Sequence, residues 1–184
     1  MRRIILASGS PRRQELLKFV VPEFDVIPSG APEEADGHPS KRVVELALVK
    51  ANDIAAQHPD ALVIGADTLV AIHGQVLGKP RDEEEAVAML RMLSGRTHKV
   101  YTGLALIEDG RARTTCCVTR VTFAHMSDRE IRAYVATGEP MDKAGAYGIQ
   151  GFAGKYIRSI RGCYYNVMGL PLHTLYTMLS EPGL

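Results

Sequence analysis

The sequence lacks tryptophan, and aromatic residues make up only 6% of its 184 positions. It also lacks a surplus of charge, because 22 lysines and arginines nearly balance 21 acidic residues and leave a formal net charge of +1. A chain without a basic face or a row of aromatic side chains has little with which to bind a nucleic acid, so we expect no nucleic-acid partner. Any binding of an anion must depend on a local arrangement of cations.

Cysteine and long apolar segments are scarce as well. The three cysteines include the adjacent pair Cys116-Cys117, and an odd number without framework spacing fits a reducing compartment rather than a disulfide scaffold. The apolar run near the N-terminus ends at Ser8, and no stretch reaches the length of a membrane span. We therefore expect a cytoplasmic protein with no membrane partner. The length suffices for one domain with a sizeable core, or for two small lobes.

The first candidate site follows a strand near the N-terminus. Apolar residues 4–7 predict a buried strand that ends at Ser8, and Ser10-Pro11 is typical of the N-cap and first position of a helix. Arg12 and Arg13 then fall in the first turn of that helix, where the macrodipole disfavours cations. Either both arginines point into water, or they bind an anion such as a phosphate chain.

A lysine interrupts the apolar face of the next predicted helix, which runs from about Ser40 to Gln57. Lys50 lies on the stripe of that helix that faces the core, so it must either extend to the surface or meet an anion. The loop before the helix, residues 29–39, contains Glu33 and Glu34. These acids are either solvated or turned toward a metal.

An aspartate stands in the middle of the most apolar stretch, residues 61–72, which predicts a strand. Because burying a carboxylate without partners is costly, Asp67 must face a polar cleft or a cation, or bond to nearby amides at a bulge. A second lysine, Lys79, precedes a helix that begins at Asp82 and has Glu85 in the position of a capping box.

The second half of the chain contains a hairpin and a glycine-rich segment. Asp109-Gly110 predicts the turn between two strands, and Ser127 with Glu130 predicts a further capping box. The glycine-rich segment covers residues 142–154, and its four glycines at every third position exclude an ordinary helix or strand interior. Either the backbone approaches a ligand closely there, or the segment is a flexible loop. A strand over Lys155–Ile160 and a helix over Leu170–Leu179 are expected to follow.

Six separated motifs now resemble one family, the Maf nucleoside triphosphate pyrophosphatases. The resemblance covers nearly the whole chain and keeps the motifs in order, and the late glycine-rich run is very specific. The motifs are Ser8-Gly9-Ser10-Pro11-Arg12-Arg13, Gly65-Ala66-Asp67-Thr68, Gly78-Lys79-Pro80-Arg81-Asp82, Ser94-Gly95-Arg96-Thr97-His98, Asp142 to Gly151, and Asn166-Val167-Met168-Gly169-Leu170-Pro171.

The resemblance implies a fold and an activity. The fold would be a single α/β domain spanning residues 1–184, with two lobes around a long mixed twisted sheet and a cleft between the lobes, as in Maf/ITPase-like proteins. The activity would be hydrolysis of a nucleoside triphosphate to the monophosphate and pyrophosphate, with Mg²⁺ or Mn²⁺ as the divalent metal. A homodimer is a further expectation at the level of the family. The cellular role would be cleansing of the nucleotide pool, arrest of cell division, or both.

The resemblance also implies roles for particular residues. Asp67 would be the catalytic proton acceptor, and the expected metal ligands are Asp67 and Glu33. In one respect the early loop departs from the family, because Ser29-Gly30-Ala31-Pro32-Glu33 keeps only the second acid of a frequent pair. The combination of Arg12, Thr68 and Gln150 resembles the branch that acts on dTTP and UTP. The expected substrate-binding residues are Ser8, Arg12, Arg13, Lys50, Thr68, Lys79 and Gln150.

The chemistry of such a reaction accounts for these residue types. Pyrophosphate leaves when water attacks the α-phosphorus, so cations such as Arg13, Lys50 and Lys79 would stabilise the charge on the leaving oxygens. Asp67 would either orient or deprotonate the water, or hold a metal that does so. The Gln150 amide offers both an acceptor and donors to the edge of uracil or thymine.

One alternative belongs to another functional class: a nucleotide-binding regulator of septum formation without significant turnover. The sequence argues against two other nucleotide-binding classes, since it has no Walker segment and no Gly-x-Gly-x-x-Gly after the first strand.

Overall fold

The computed structural model describes residues 2–180 and shows an α/β fold with a seven-stranded mixed sheet flanked by helices. The ends of the predicted domain, Met1 and residues 181–184, lie outside this description. The strands are β1 (Ile4–Leu6), β2 (Asp25–Val26), β3 (Leu62–Ile72), β4 (Gln75–Leu77), β5 (Thr97–Glu108), β6 (Arg111–Phe123) and β7 (Ile157–Arg161). The helices are α1 (Pro11–Leu17), α2 (Pro39–Ala55), α3 (Glu83–Leu93), α4 (Asp128–Val135), α5 (Tyr164–Met168) and α6 (Leu172–Ser180).

The sheet has the order β2-β1-β3-β5-β6-β7, and β4 pairs with β3 beside this path. Strand β1 pairs in parallel with both β2 and β3, so that Ile5 lies opposite Asp25 on one side and Val63 on the other. Strands β3 and β4 pair antiparallel, as do β6 and β7. The predicted α/β class with a mixed sheet is therefore confirmed.

The chain divides into two compact units. The first comprises Met1–Thr68, Thr102–Cys117 and Gly169–Leu184, and its buried core includes Ile5, Val63 and Ala105. The second comprises Leu69–Tyr101 and Val118–Met168, and its core includes Leu90, Phe123 and Ile131. Strands β3, β5 and β6 each contribute residues to both units.

In the first unit, helix α2 packs against the sheet with backbone close to backbone. A Cβ atom at Gly65 of β3 would lie less than 3.0 Å from the Ala47 carbonyl oxygen. A Cβ atom at Gly103 of β5 would meet the Val43 carbonyl oxygen at similarly short range. Neither glycine has a positive φ, so both are required for this close approach and not for an unusual backbone conformation.

The strongest local signals of the sequence are confirmed. Asp109 and Gly110 have φ values of 50° and 72°, as the turn of a two-residue hairpin requires, and they join β5 to β6. At the start of α4, Ser127 and Glu130 form a complete capping box. The capping box predicted at α3 is incomplete: Asp82 caps the helix, but the Glu85 carboxylate accepts the backbone N–H of Arg81 rather than that of Asp82.

Other boundaries differ from those predicted. The final strand begins at Ile157 and not at Lys155, because Phe152–Tyr156 forms a 3₁₀ turn. The short helix α5 was not predicted, and the closing helix begins at Leu172 and not at Leu170. Within residues 2–180, no helix is long and apolar enough to cross a membrane.

Candidate functional site

The Arg13 side chain donates three hydrogen bonds within the first unit. Its Nε donates to the Gly169 carbonyl oxygen at 2.9 Å, its Nη1 to Ser8 Oγ at 3.1 Å, and its Nη2 to Thr68 Oγ1 at 3.0 Å. Burial lowers the pKa of the Arg13 guanidinium and the charge of Arg12 acts in the same direction, whereas Asp67 and Glu33 oppose the shift. Arg13 therefore does not point into water, and the interpretation of it as a solvated cation is wrong.

The segment between β1 and α1 places Ser8 beside that guanidinium. Ser10 occupies the N-cap of α1, as predicted, but its side chain forms no capping hydrogen bond. Its backbone N–H donates instead to Ser8 Oγ at 3.3 Å. Arg12 lies in the first turn of the helix and is partly buried. One segment of chain thus brings three of the predicted substrate-binding residues together.

Two residues at this site were not predicted from the sequence. Thr102, on β5, is fully buried, and its hydroxyl forms a 2.9 Å hydrogen bond with the Thr68 hydroxyl. The carbonyl of Gly169 holds Arg13, and Gly169 itself has a φ of 111°. A threonine inside the apolar run of β5 was the available signal for Thr102. Gly169 lies in a motif to which the sequence assigned no role.

Lys50 joins the two predicted acids. Its Nζ lies 2.8 Å from Asp67 Oδ1 and 2.7 Å from Glu33 Oε1. The side chains of Lys50 and Asp67 are only 13% and 12% exposed, whereas that of Glu33 is 67% exposed. The lysine on the apolar stripe therefore meets anions and does not extend into solvent, and the aspartate within the strand faces a cation.

The close packing of α2 against the sheet explains this short distance. Asp67 lies two residues after Gly65 on β3, and Lys50 lies one turn after Ala47 on α2. Because Gly65 lets the helix backbone approach β3, the Lys50 ammonium comes within reach of the Asp67 carboxylate. The fold thus places a buried ion pair beside the Arg13 network.

The two carboxylates can also contribute to a cation site. Both reach a common point, at present the Lys50 ammonium, and Glu33 is open to solvent. Mg²⁺ is commonly bound by one or two protein carboxylates together with substrate phosphates. Within the described residues, no group of three or more His, Cys, Asp or Glu side chains could hold a metal by itself. The donor set therefore fits a hard divalent cation that arrives with phosphates better than a metal held by protein ligands alone.

The remaining two predicted residues, Lys79 and Gln150, belong to the second unit, and both are exposed. The Gly145 backbone N–H donates to the Gly78 carbonyl oxygen at 3.1 Å, which ties the glycine-rich segment to the residue before Lys79. Gln150 occupies a turn that the Gly151 N–H closes onto the Gly148 carbonyl at 3.2 Å. The glycine-rich segment is therefore an ordered structure rather than a flexible linker.

His98 is a structural residue of the second unit. Its Nε2 forms a 2.7 Å hydrogen bond with the Tyr147 hydroxyl, and its ring packs edge-on against Phe123 and Tyr147. Burial lowers the pKa of His98 to about 4, so the imidazole is neutral at physiological pH. The neutral ring completes an aromatic cluster.

The fold and the first-unit site together define a class: α/β proteins in which two basic side chains and a buried aspartate lie near a strand–helix turn. The structure of the Staphylococcus aureus Ham1 protein shares the fold, with a TM-score of 0.56 over 97% of this chain and 98% of that one. The sequence identity is 15%, so this similarity concerns the fold alone.

Sequence comparison then identifies the family. The model of the family described as "Maf-like protein" matches residues 3–182. A protein of Carboxydothermus hydrogenoformans is 49% identical, covering 98% of this chain and 99% of its own, and one of Symbiobacterium thermophilum is 51% identical, covering 100% and 95%. Both are named dTTP/UTP pyrophosphatase, as is a Thermococcus gammatolerans protein that is 49% identical. The chain belongs to the Maf family.

Proposed function

We propose that this protein hydrolyses nucleoside triphosphates to the monophosphate and pyrophosphate, with dTTP and UTP as its preferred substrates. The relatives that carry this name match nearly the full length of the chain at about half identity. The observation that carries the proposal is the Lys50–Asp67 pair, buried beside Arg13 and shared with Glu33. It combines an anion-binding cation with a carboxylate able to accept a proton.

The cations of the site would bind the phosphates. Arg13 is already oriented by three acceptors, so its charge is fixed without a further loss of side-chain freedom when a nucleotide binds. Lys50 can donate to a phosphate oxygen while it remains next to Asp67. Charge accumulates on the leaving oxygens as the bond to the α-phosphorus breaks, and positive groups held in place before the reaction stabilise it most. Lys79 is a further proposed phosphate ligand.

Asp67 would act on the attacking water. Its Oδ1 bonds to Lys50, and a second carboxylate oxygen remains available to accept a proton from water or to orient it. A divalent cation, Mg²⁺ or Mn²⁺, would be held by Asp67 and Glu33 and would supply charge neutralisation on the phosphates. Asp67 as proton acceptor and Asp67 as metal ligand are both consistent with this arrangement.

Base selection would depend on Arg12, Thr68 and Gln150. The Thr68 hydroxyl is fixed between Arg13 and Thr102, so its orientation is set by the protein. The Gln150 side chain is exposed on a hydrogen-bonded turn, where its amide is available to a base edge.

The test is release of pyrophosphate from a panel of nucleoside triphosphates, with and without Mg²⁺ or Mn²⁺, by the wild type and by Asp67→Asn. We expect rapid release from dTTP and UTP that requires the metal, and a loss of at least about a hundredfold in the variant, the lower end of what a general base contributes. Asp60→Asn is the matched control, because Asp60 is an exposed aspartate that should leave the rate unchanged.

Two results would contradict the proposal. A folded Asp67→Asn protein that keeps full turnover would remove Asp67 from the mechanism. A wild type that binds nucleotides tightly but releases no pyrophosphate from any of them would favour the nucleotide-binding regulator.

A further inference from the structure

The turn that carries Gln150 is held at both of its ends by two side chains from outside it. The Gly148 backbone N–H, at the start of the turn, donates to the Tyr134 hydroxyl at 3.2 Å. The Phe152 N–H, just after the turn, donates to Glu139 Oε2 at 3.0 Å. Tyr134 in turn donates its O–H to Glu139 Oε1 at 2.7 Å, so one carboxylate closes the whole arrangement.

Two glycines of the turn lie too close to neighbouring side chains to carry a Cβ atom. A Cβ atom at Gly151 would lie less than 3.0 Å from the Glu139 carboxylate. A Cβ atom at Gly148 would lie 2.8 Å from the side chain of Lys143, which packs beside the turn and takes no part in the hydrogen bonds described above. Neither glycine has a positive φ, so both serve to let side chains of the protein reach the turn.

In this arrangement of Tyr134, Glu139 and the turn, every hydrogen-bond donor faces an acceptor. Each oxygen of the Glu139 carboxylate accepts one hydrogen bond, and the Tyr134 hydroxyl both donates and accepts. Burial raises the pKa of Tyr134, and its hydrogen bond to Glu139 acts in the same direction, so the phenol keeps its proton. Tyr134 is itself 3% exposed and anchored in α4. The turn is thereby connected to the core of the second unit.

We propose that Glu139 is a positioning residue for base selection, which acts with Tyr134 by holding the turn that presents Gln150. The inference rests on the proposed role of Gln150 in base recognition. A glutamine amide offers different groups to different base edges depending on how it is oriented. A turn that is fixed at both ends limits the positions that this amide can take, and such preorganisation increases discrimination between ligands.

Glu139→Gln is the main test, because the amide keeps the shape of the side chain but places an N–H₂ group against one of the two donors. We expect the ratio of kcat/KM for UTP to kcat/KM for CTP to fall by about fivefold to tenfold, the effect of losing about one hydrogen bond. Turnover of UTP at saturation should change much less than this ratio. Tyr134→Phe, which keeps the ring and its packing, should shift the ratio in the same direction and serves if Glu139→Gln does not fold.

The matched control is Glu84→Gln. Glu84 is an exposed glutamate on α3 that pairs with Arg132 and has no hydrogen bond to the turn. This variant makes the same chemical change in the same unit, and it should leave the UTP to CTP ratio at the wild-type value.

A double-mutant cycle distinguishes positioning from general destabilisation. If Glu139 acts through Gln150, the variant that combines Glu139→Gln with Gln150→Ala should have the same UTP to CTP ratio of kcat/KM as Gln150→Ala alone. Additive losses in the double variant would overturn the inference, as would an unchanged ratio in a folded Glu139→Gln protein when Gln150→Ala lowers it. If Gln150→Ala itself leaves the ratio unchanged, Glu139 has no base-reading residue to position and the inference falls. Failure of the proposed function gives a different result, namely no pyrophosphate release by the wild type.

Discussion

At the scale of single residues, the buried Lys50–Asp67 pair is the most informative feature of this protein. Taking two charges out of water is expensive, and an apolar pair of similar size often stabilises a protein as well or better. An ion pair of this kind is therefore weak evidence for stability. Its position beside Arg13, with Glu33 on the same ammonium, is better explained by the chemistry that we propose for the site.

His98 gives a prediction about pH. Its native pKa of about 4 lies below the value of 6.5 expected for the unfolded chain, so between these values the unfolded state binds the extra proton. The contribution of His98 to stability is therefore complete above about pH 6.5 and is lost as the pH falls toward 4. The shift corresponds to about 3 kcal/mol in the free energy of unfolding.

Urea unfolding of wild type and His98→Gln at several pH values between 7.5 and 4 measures this contribution. The wild type should lose more stability on acidification than the variant, by up to the amount given above. His125→Gln replaces an exposed histidine of the same unit and should keep the wild-type dependence. Parallel curves for wild type and His98→Gln would show that His98 does not titrate at a depressed pKa.

Some of these residues could be predicted from the sequence, and others could not. Lys50 and Asp67 were predicted because a charge within an apolar pattern demands a partner, and the structure provides one for each. Thr102 and Glu139 were not, because a threonine in a strand and an acid after a helix are common without any role. Their importance depends on contacts between residues far apart in the chain, which periodicity does not contain.

At the scale of elements, the packing of α2 on β3 and β5 determines the geometry of the first-unit site. Gly65→Ala would place a methyl group against the Ala47 carbonyl, and backbone atoms of a packed helix cannot give way locally. We expect a loss of about 3 kcal/mol in the free energy of unfolding, at the upper end of overpacking costs. Gly30→Ala is the control, since a Cβ there meets nothing within 4 Å, and it should be neutral or slightly stabilising.

Urea denaturation and pyrophosphate release should be measured on both glycine variants. Because α2 carries Lys50, a displaced helix should also slow turnover in Gly65→Ala under conditions where the protein is folded. A Gly65→Ala protein with wild-type stability would mean that the helix can move away from the sheet at little cost.

Element boundaries show where sequence patterns are informative and where they are not. The Asp109-Gly110 turn and the Ser127 cap were predicted because each depends on two or three neighbouring residues with one favoured geometry. The start of β7 was misplaced because Lys155 and Tyr156 belong to a 3₁₀ turn. Nothing in their local pattern separates that turn from a strand.

At the scale of the whole molecule, three strands connect the two units. Since β3, β5 and β6 each contain residues of both, neither unit can lose these strands without disrupting the other. We expect one cooperative unfolding transition, with calorimetric and van't Hoff enthalpies that agree. Gly65→Ala, in the first unit, should therefore also lower the transition temperature of the second unit, to which Tyr134 and Tyr147 belong.

Two separate transitions, with only one displaced by the substitution, would show that the units unfold independently.

The α/β class and the mixed sheet that the sequence predicted are confirmed. The homodimer, the absence of a nucleic-acid partner and the cytoplasmic setting stay predictions.

The two glycines beneath α2 have a consequence for how this protein can evolve. The spacing between lysine and aspartate is set by main-chain atoms in contact, and main-chain atoms do not change when side chains are exchanged. Core substitutions that leave this contact in place should therefore preserve the spacing between Lys50 and Asp67 better than substitutions at the contact itself. Gly65 and Gly103 form that contact, and a side chain at either position would disrupt it.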